Sequence, residues 1–375
     1  MFGRNSASAK GRLTVLFDAW PLARAPGSPH ALHLQELLAL LPPDVDPLLA
    51  IPAALPQPAP ARTLLWAAAD SGMGRLAWEQ VILPQLARRC GACLLHTTSL
   101  SAPLFCSVPV VLSPAEAFPR GFSSGQEQRR GIGWRLRSAL GRGGLDAAQA
   151  VLWPADLPAP PLPMAAVRRM PPAVHPAFWM EPAVVQPEER GYVAAFGCFD
   201  NEGGLTDLLE TWRWAAPAMG EDWTLRLAAL PAGDGARLEQ MRAAFHLPGR
   251  IQPAPLAGPL EAAALLAGAG AVLRLGPLSA WGDPLLHALA AGRPLASEEA
   301  WGVDARVGPA AYLAPSGDWR TLGAAVLTLL VEENVAEQVS QAARIRAAGW
   351  GSLSFSDQLR EVYHAVRDQR RMKAT

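Results

Sequence analysis

The chain has 375 residues, half of them apolar, and its 33 basic and 33 acidic side chains leave a formal net charge of zero. That length suits two or three domains of ordinary size, each with a sizeable core. A neutral balance supplies no global field to draw the protein to nucleic acid, so no nucleic-acid partner is expected.

Residues 1–11 are small and polar and are expected to be disordered. They carry no apolar stretch of the kind a secretory signal needs. Leu13–Asp18 (LTVLFD) reads as a strand, followed by a Pro/Gly-rich turn over 21–28. Ser28 then Pro29 is an N-cap followed by proline at the first helical position. An amphipathic helix follows, and Pro42-Pro43 stop it. Residues 47–51 read as the next buried strand and 53–61 as loop. Leu76–Arg89 reads as a helix interrupted at Pro84; Cys93–His96, Pro109–Leu112 and Gln149–Trp153 read as buried strands. Strands separated by helices imply a parallel sheet covered on both faces.

From 154 to 190 the chain is proline-rich and reads as an interdomain connection. A second α/β pattern starts at Gly191. It has strands at 192–197, 223–228, 271–275 and 294–297, with helices at 205–214, 234–245, 260–267 and from Pro284. The last 55 or so residues read as helices broken near Gly349–Ser352. The expected organisation is an N-terminal Rossmann-like domain (12–153), the connection (154–190), a C-terminal Rossmann-like domain (191–350) and a final helix (351–375) lying near or on the first domain.

Several segments resemble family 4 glycosyltransferases of the GT-B fold. WEQVILPQLARRCGACLLH (78–96) is similar to that family's helix-then-strand running into a histidine, and PPAVHPAF (171–178) to its joint between domains. GPLSAWGDPLLHALAAGRPLAS (276–297) is similar to its donor-site motif, and VGPAAYLAP (307–315) to the strand after it. The resemblance implies two parallel-sheet domains facing across a cleft. It also implies retaining, metal-independent transfer of a sugar from a nucleotide-sugar donor to a polysaccharide or lipid-linked acceptor, with no further cofactor.

The side chains such chemistry needs are replaced. Without a metal, the leaving diphosphate is stabilised by cationic side chains and a helix N-terminus. The resemblance places an arginine and a lysine after the second domain's first strand, where this chain has Cys198 and Glu202 or Gly203. Lys10 and Lys373 are the only lysines, so none stands in from elsewhere. The two glutamates of the donor motif become Ser279 and His287, and the first-domain His-Asp pair becomes Ala115-Glu116. His287 can hydrogen-bond a ribose or simply sit on a buried helix face. The turn Gly282-Asp283-Pro284 survives; Asp283 reads as an N-cap that either fills the anion site or caps and leaves the pocket open. Arg24 and Gly27, in the first turn, and Arg274, near a strand end, are the remaining donor-binding candidates with Gly282, Asp283 and His287.

Other constellations are weaker. Cys90 and Cys93 form a lone CxxC at a helix end, and His30 and His33 have no carboxylate or cysteine beside them, so no metal site is expected. Five arginines between Arg129 and Arg142, interleaved with apolar residues, suit a peripheral membrane contact or an anionic acceptor, or else a solvated face. No apolar run reaches the roughly 18–20 residues of a membrane span, and a cytoplasmic location, with peripheral contact at the inner membrane face, is expected.

The function expected from the resemblance is a working transferase with Arg24 or Arg274 as a replacement clamp; the alternative is a catalytically degenerate relative serving as a binding or partner subunit.

Overall fold

The computed structural model describes residues 12–55, 58–118, 139–140, 145–160, 166–180, 191–197, 202–219, 223–230, 235–247 and 250–374. Residues 1–11, the five arginines of 129–142, Cys198 and the side chain of Glu202 lie outside that description.

The first domain alternates β1 (Leu13–Asp18), α1 (Trp20–Arg24), α2 (Pro29–Ala39), β2 (Val45–Ile51), β3 (Arg62–Leu65), α3 (Gly72–Ala77), α4 (Leu83–Arg89), β4 (Leu94–Thr97) and β5 (Val110–Leu112). A two-residue strand β6 (Ala117–Phe118), then β7 (Ala150–Pro154) and β8 (Val167–Met170), complete it. One π-helical turn, Trp78–Ile82, joins α3 to α4. Pro84 sits in the first turn of α4, where its missing N–H costs least. Ser28 caps α2 through its hydroxyl, which accepts from the Ala31 N–H at 3.3 Å, and Pro29 stands at the first helical position.

Seven strands form one sheet in the order β3-β2-β1-β4-β5-β7-β8, every neighbouring pair parallel. The proline-rich stretch 154–190 is thus more than a connection, because β8 inside it closes the far edge of this sheet.

The second domain contains β9 (Tyr192–Phe196), α5 (Glu202–Met219), β10 (Thr224–Ala228), α6 (Gly235–Phe245), β11 (Arg250–Ala254), α7 (Pro259–Gly268) and β12 (Ala271–Arg274). There follow β13 (Leu278–Ser279), α8 (Pro284–Ala290), β14 (Leu295–Glu298), α9 (Val303–Val307), β15 (Tyr312–Ala314), α10 (Trp319–Val331), α11 (Glu333–Ala347) and α12 (Ser352–Ala374). Its six-stranded sheet runs β11-β10-β9-β12-β14-β15, again all parallel. In each sheet the order reverses beside the first strand, which creates the switch point where ligands of open α/β sheets sit.

The last helix returns to the first domain. Phe355, Leu359, Tyr363 and Val366 recur at helical spacing and are buried. The Tyr363 hydroxyl meets His96 Nδ1 at 2.6 Å, while Arg360 and His364 reach the Asp44 carboxylate at 3.1 and 2.8 Å. Among the described residues no helix is long and apolar enough to cross a membrane.

The two domains share one apolar core. A contiguous buried cluster runs from Phe17 and Leu95 of the first sheet through Leu278, Trp281 and Leu286 to Val272 of the second. The outer face of the second sheet has its own cluster around Leu208, Trp212 and Leu227.

Candidate functional site

The residues singled out by sequence converge where β13 turns into α8. The helix starts because Asp283 caps it, its Oδ1 accepting from the Leu285 N–H at 3.0 Å. Its other oxygen, Oδ2, accepts from the Ser279 N–H at 2.8 Å and from Arg274 Nη2 at 3.2 Å. Arg274 donates further to the carbonyls of Gly276 (2.7 Å) and Pro277 (2.6 Å). Both side chains are buried, 2% exposed for each residue. Asp283 therefore occupies backbone N–H groups that an anion would use, and Arg274 neutralises that carboxylate. The two candidates bind each other.

The opposite wall of the cleft presses on this turn. Gly282 adopts φ +62°, and a Cβ there would lie 2.1 Å from the Pro29 carbonyl oxygen at the start of α2. Gly27 makes a less severe approach from the first domain, where a Cβ would come 2.9 Å from Ala229 Cβ and 3.0 Å from the Leu256 oxygen. The glycines that sequence marked for backbone approach to a donor instead allow one domain to approach the other.

Ser279 lies in an antiparallel pair with Ala117, and Leu278 with Phe118, so β13 and β6 hydrogen-bond across the domains. Arg306, fully buried, braces that strand. It donates to the carbonyls of Ser279 (3.2 Å) and Ala280 (3.0 Å) and pairs with Asp156 Oδ2 at 2.8 Å. Trp281 donates Nε1–H to the Leu152 carbonyl at 3.1 Å. Just before β6, Ala115 is buried, and Glu116 folds back onto its own domain, accepting from the Leu100 N–H at 2.7 Å and the Ser99 hydroxyl at 3.0 Å.

His287 neither faces solvent nor stands alone. Its Nε2 lies 2.6 Å from Glu36 Oε1 on α2, and its ring stacks on Phe178 with centroids 4.2 Å apart. His33 stacks on Trp281 at 4.9 Å and, contrary to the sequence expectation, has a carboxylate beside it: one helical turn brings Glu36 Oε2 within 3.5 Å of its Nδ1. All three titratable residues are essentially inaccessible. Burial would raise the Glu36 pKa, but His287 and then His33 outweigh it and hold the carboxyl below its ordinary range. Burial pushes the His33 imidazole down, against the pull of Glu36. His175, which caps the 3₁₀ turn Pro176–Trp179, is likewise lowered, chiefly by burial.

Arg24 finds its partners within its own domain. It donates to the Ala68 carbonyl at 2.7 Å and approaches Asp70 at 3.8 Å. His30 meets the Thr98 carbonyl through Nδ1 at 2.9 Å, apart from any second ligand. Cys90 and Cys93 are free thiols, and no group of three potential metal ligands occurs among the described residues.

Sequence reasoning did not single out Glu36, Arg306, Trp281 or the Asp18–Arg75–Glu79 network at the end of β1. In that network Arg75 bridges Asp18 (2.7 Å) and Glu79 (2.6 Å), and Trp78 donates to Asp18 at 2.8 Å. A signal for Glu36 was present: it is the sole acid within the apolar run of α2, and an unpaired acid there would be costly.

No family model matches the chain, and no curated protein sequence does. Solved structures do. A sucrose-phosphate synthase from Thermosynechococcus elongatus is 15% identical, with a TM-score of 0.70 over 95% of this chain and 99% of its own. The glycosyltransferase WaaG is 11% identical, with a TM-score of 0.70 over 94% and 99%. HepE of Anabaena, solved with UDP and glucose, is 14% identical, with a TM-score of 0.67 over 93% and 99%. The fold is the two-domain GT-B fold of these glycosyltransferases.

Proposed function

We propose that this chain is a catalytically degenerate GT-B protein, one that keeps the glycosyltransferase fold and works as a binding or partner subunit without transferring sugar. The observation that carries this reading is the buried Arg274–Asp283 pair at the start of α8, seated against the first domain. In a metal-independent transferase the leaving diphosphate needs cationic donors and free backbone N–H groups. Here the candidate cation is bound to a carboxylate, and that carboxylate takes the N–H groups. His287, at the position of the ribose-binding glutamate, is held by Glu36.

Titration calorimetry with UDP, GDP and ADP, followed by a hydrolysis assay with a panel of nucleotide sugars, tests the reading. A charge-assisted hydrogen bond contributes roughly 1.5–3 kcal/mol, so losing two weakens binding by a few powers of ten. Binding in the millimolar range or absent, with no turnover, is expected. Micromolar binding of any of the three overturns it.

The second reading is a retaining transferase acting on a polysaccharide or lipid-linked acceptor. It is favoured by fold neighbours that include HepE, solved with UDP-glucose. It requires the domains to part and Arg274 to leave Asp283. Wild-type turnover of a nucleotide sugar, abolished in an Arg24→Ala or Arg274→Ala variant that circular dichroism shows to be folded, would establish it.

A further inference from the structure

The seam between the domains contains a feature that neither reading of the function uses. Glu36 is sandwiched between two histidines, one on its own helix and one on α8 of the other domain. His33 Nε2 and His287 Nδ1 are buried without a hydrogen-bond partner, and the 3.5 Å contact between His33 Nδ1 and Glu36 Oε2 is an ion-pair approach and not a formed hydrogen bond. Apolar and aromatic surfaces enclose the group: Trp281 over His33, Phe178 over His287. Each extra charge inside this enclosure would be poorly solvated.

We propose that His33, Glu36 and His287 form a pH-sensitive latch: at neutral pH they hold the domains together, and on acidification His33 takes a proton from solvent only by parting them.

The groups that bear on His33 from every side are named by the structure. Glu36 favours its charged form. Two histidines oppose it, His30 on the same helix and His287 on α8, while His96 on β4 is itself held neutral by burial. Trp281 covers the ring face. Burial dominates this balance, so the imidazole stays neutral in the closed form. Once the domains part, His33 meets water and regains an ordinary histidine pKa near 6.5. The open form therefore binds more protons below that pH, and closure weakens as pH falls. His175 adds in the same direction, because it too is held neutral chiefly by burial and lies beside Glu36 and His287. Protonation of Glu36 itself, whose pKa is lowered in the closed form, enters only at still lower pH. One histidine of this kind raises the opening constant by at most about sixteenfold between pH 6.5 and 5.

The latch rests on the closed cleft described above, and the experiment separates the two. Small-angle scattering of the full chain gives its radius of gyration at pH 7.5, 6.5, 5.5 and 5.0, with far-ultraviolet circular dichroism recording secondary structure. Hydrogen exchange of α2 and α8 peptides, corrected for intrinsic pH dependence, reports the seam directly. The wild type is expected to match the closed dimensions at pH 7.5 and to expand towards pH 5 with its helix content retained. His33→Phe keeps an aromatic ring on Trp281 and cannot take a proton, so its expansion should be reduced or displaced to lower pH. If that variant folds poorly, His33→Gln and the wild-type exchange profile serve the same comparison. A wild type already open at pH 7.5 overturns the closed-cleft reading. A wild type that stays closed to pH 5, or variants with the wild-type pH dependence, overturn the latch alone.

Discussion

Replacing Asp283 by leucine is the sharpest test of how the cleft is built. On helix capping alone the substitution would cost about 1 kcal/mol. The structure makes it far more expensive, because Arg274 would be left as a buried guanidinium, 3% exposed in its side chain, facing only backbone carbonyls. Breaking one side of a buried ion pair costs roughly 3–5 kcal/mol. With the lost cap and the orphaned Ser279 N–H, Asp283→Leu should therefore destabilise the protein by about 4–6 kcal/mol. That is a large share of a typical folding free energy of roughly 5–15 kcal/mol. Arg274→Met should be nearly as harmful, since it leaves the Asp283 carboxylate buried without its cation. The double variant removes both charges and should recover much of the loss, with a coupling energy of about 2–4 kcal/mol. Urea unfolding of the four proteins under one set of conditions measures this cycle. Losses that simply add in the double variant would refute the argument, because the carboxylate would then be capping a helix without balancing a charge.

Three further outcomes follow from other parts of the molecule. Gly282→Ala should lower the melting temperature and raise hydrogen exchange in α2: a positive-φ alanine costs roughly 1–2 kcal/mol before its methyl group meets the Pro29 carbonyl, and an unchanged melting curve would show that the turn can move away. His96 has its pKa lowered to about 3 by burial. Its unfolded value is near 6.5, so the unfolded chain binds the extra proton and stability falls as pH drops from 6.5 towards 3, by about 2 kcal/mol at pH 5. Denaturation of wild type and His96→Gln at pH 7 and 5 should show a shallower pH dependence in the variant, and equal dependences would count against it. Tyr363→Phe leaves His96 Nδ1 without its partner and should cost about 1–3 kcal/mol in denaturant unfolding, with little effect if another donor takes its place.

What sequence revealed of the fold tracks burial on both faces. β1, β4, β5, β7, β9, β12 and β14 lie inside their sheets, read as continuous apolar runs, and were found within a residue or two. β3, β8 and β11 are edges. Their arginines (Arg62, Arg168, Arg169, Arg250) and the proline of β11 break any apolar run, as edge strands tolerate. The same logic governs the site. Gly282 and Asp283 could be placed along the chain because caps and turns are local, whereas Ser279 and His287 are placed only by the resemblance of 276–297 to the donor motif. Glu36 with His287, and Arg306 with Asp156, join residues 251 and 150 positions apart, and nothing in a local window announces such partners. The role of Arg274 was likewise hidden, since a strand-end arginine looks the same whether it faces a ligand or its own loop.

The docking of α12 has a consequence for how the molecule is made. The first domain's last strand is complete at Met170, yet its surface over His96 and Asp44 is finished by Tyr363, Arg360 and His364. At synthesis rates of roughly 5–20 residues per second, those side chains leave the ribosome about 10–40 s later. Throughout that interval the nascent first domain lacks the Tyr363 partner of buried His96 and the two cations that meet Asp44. Chaperone occupancy of ribosome-bound chains should therefore persist well past the first domain and fall only once the final helix is released.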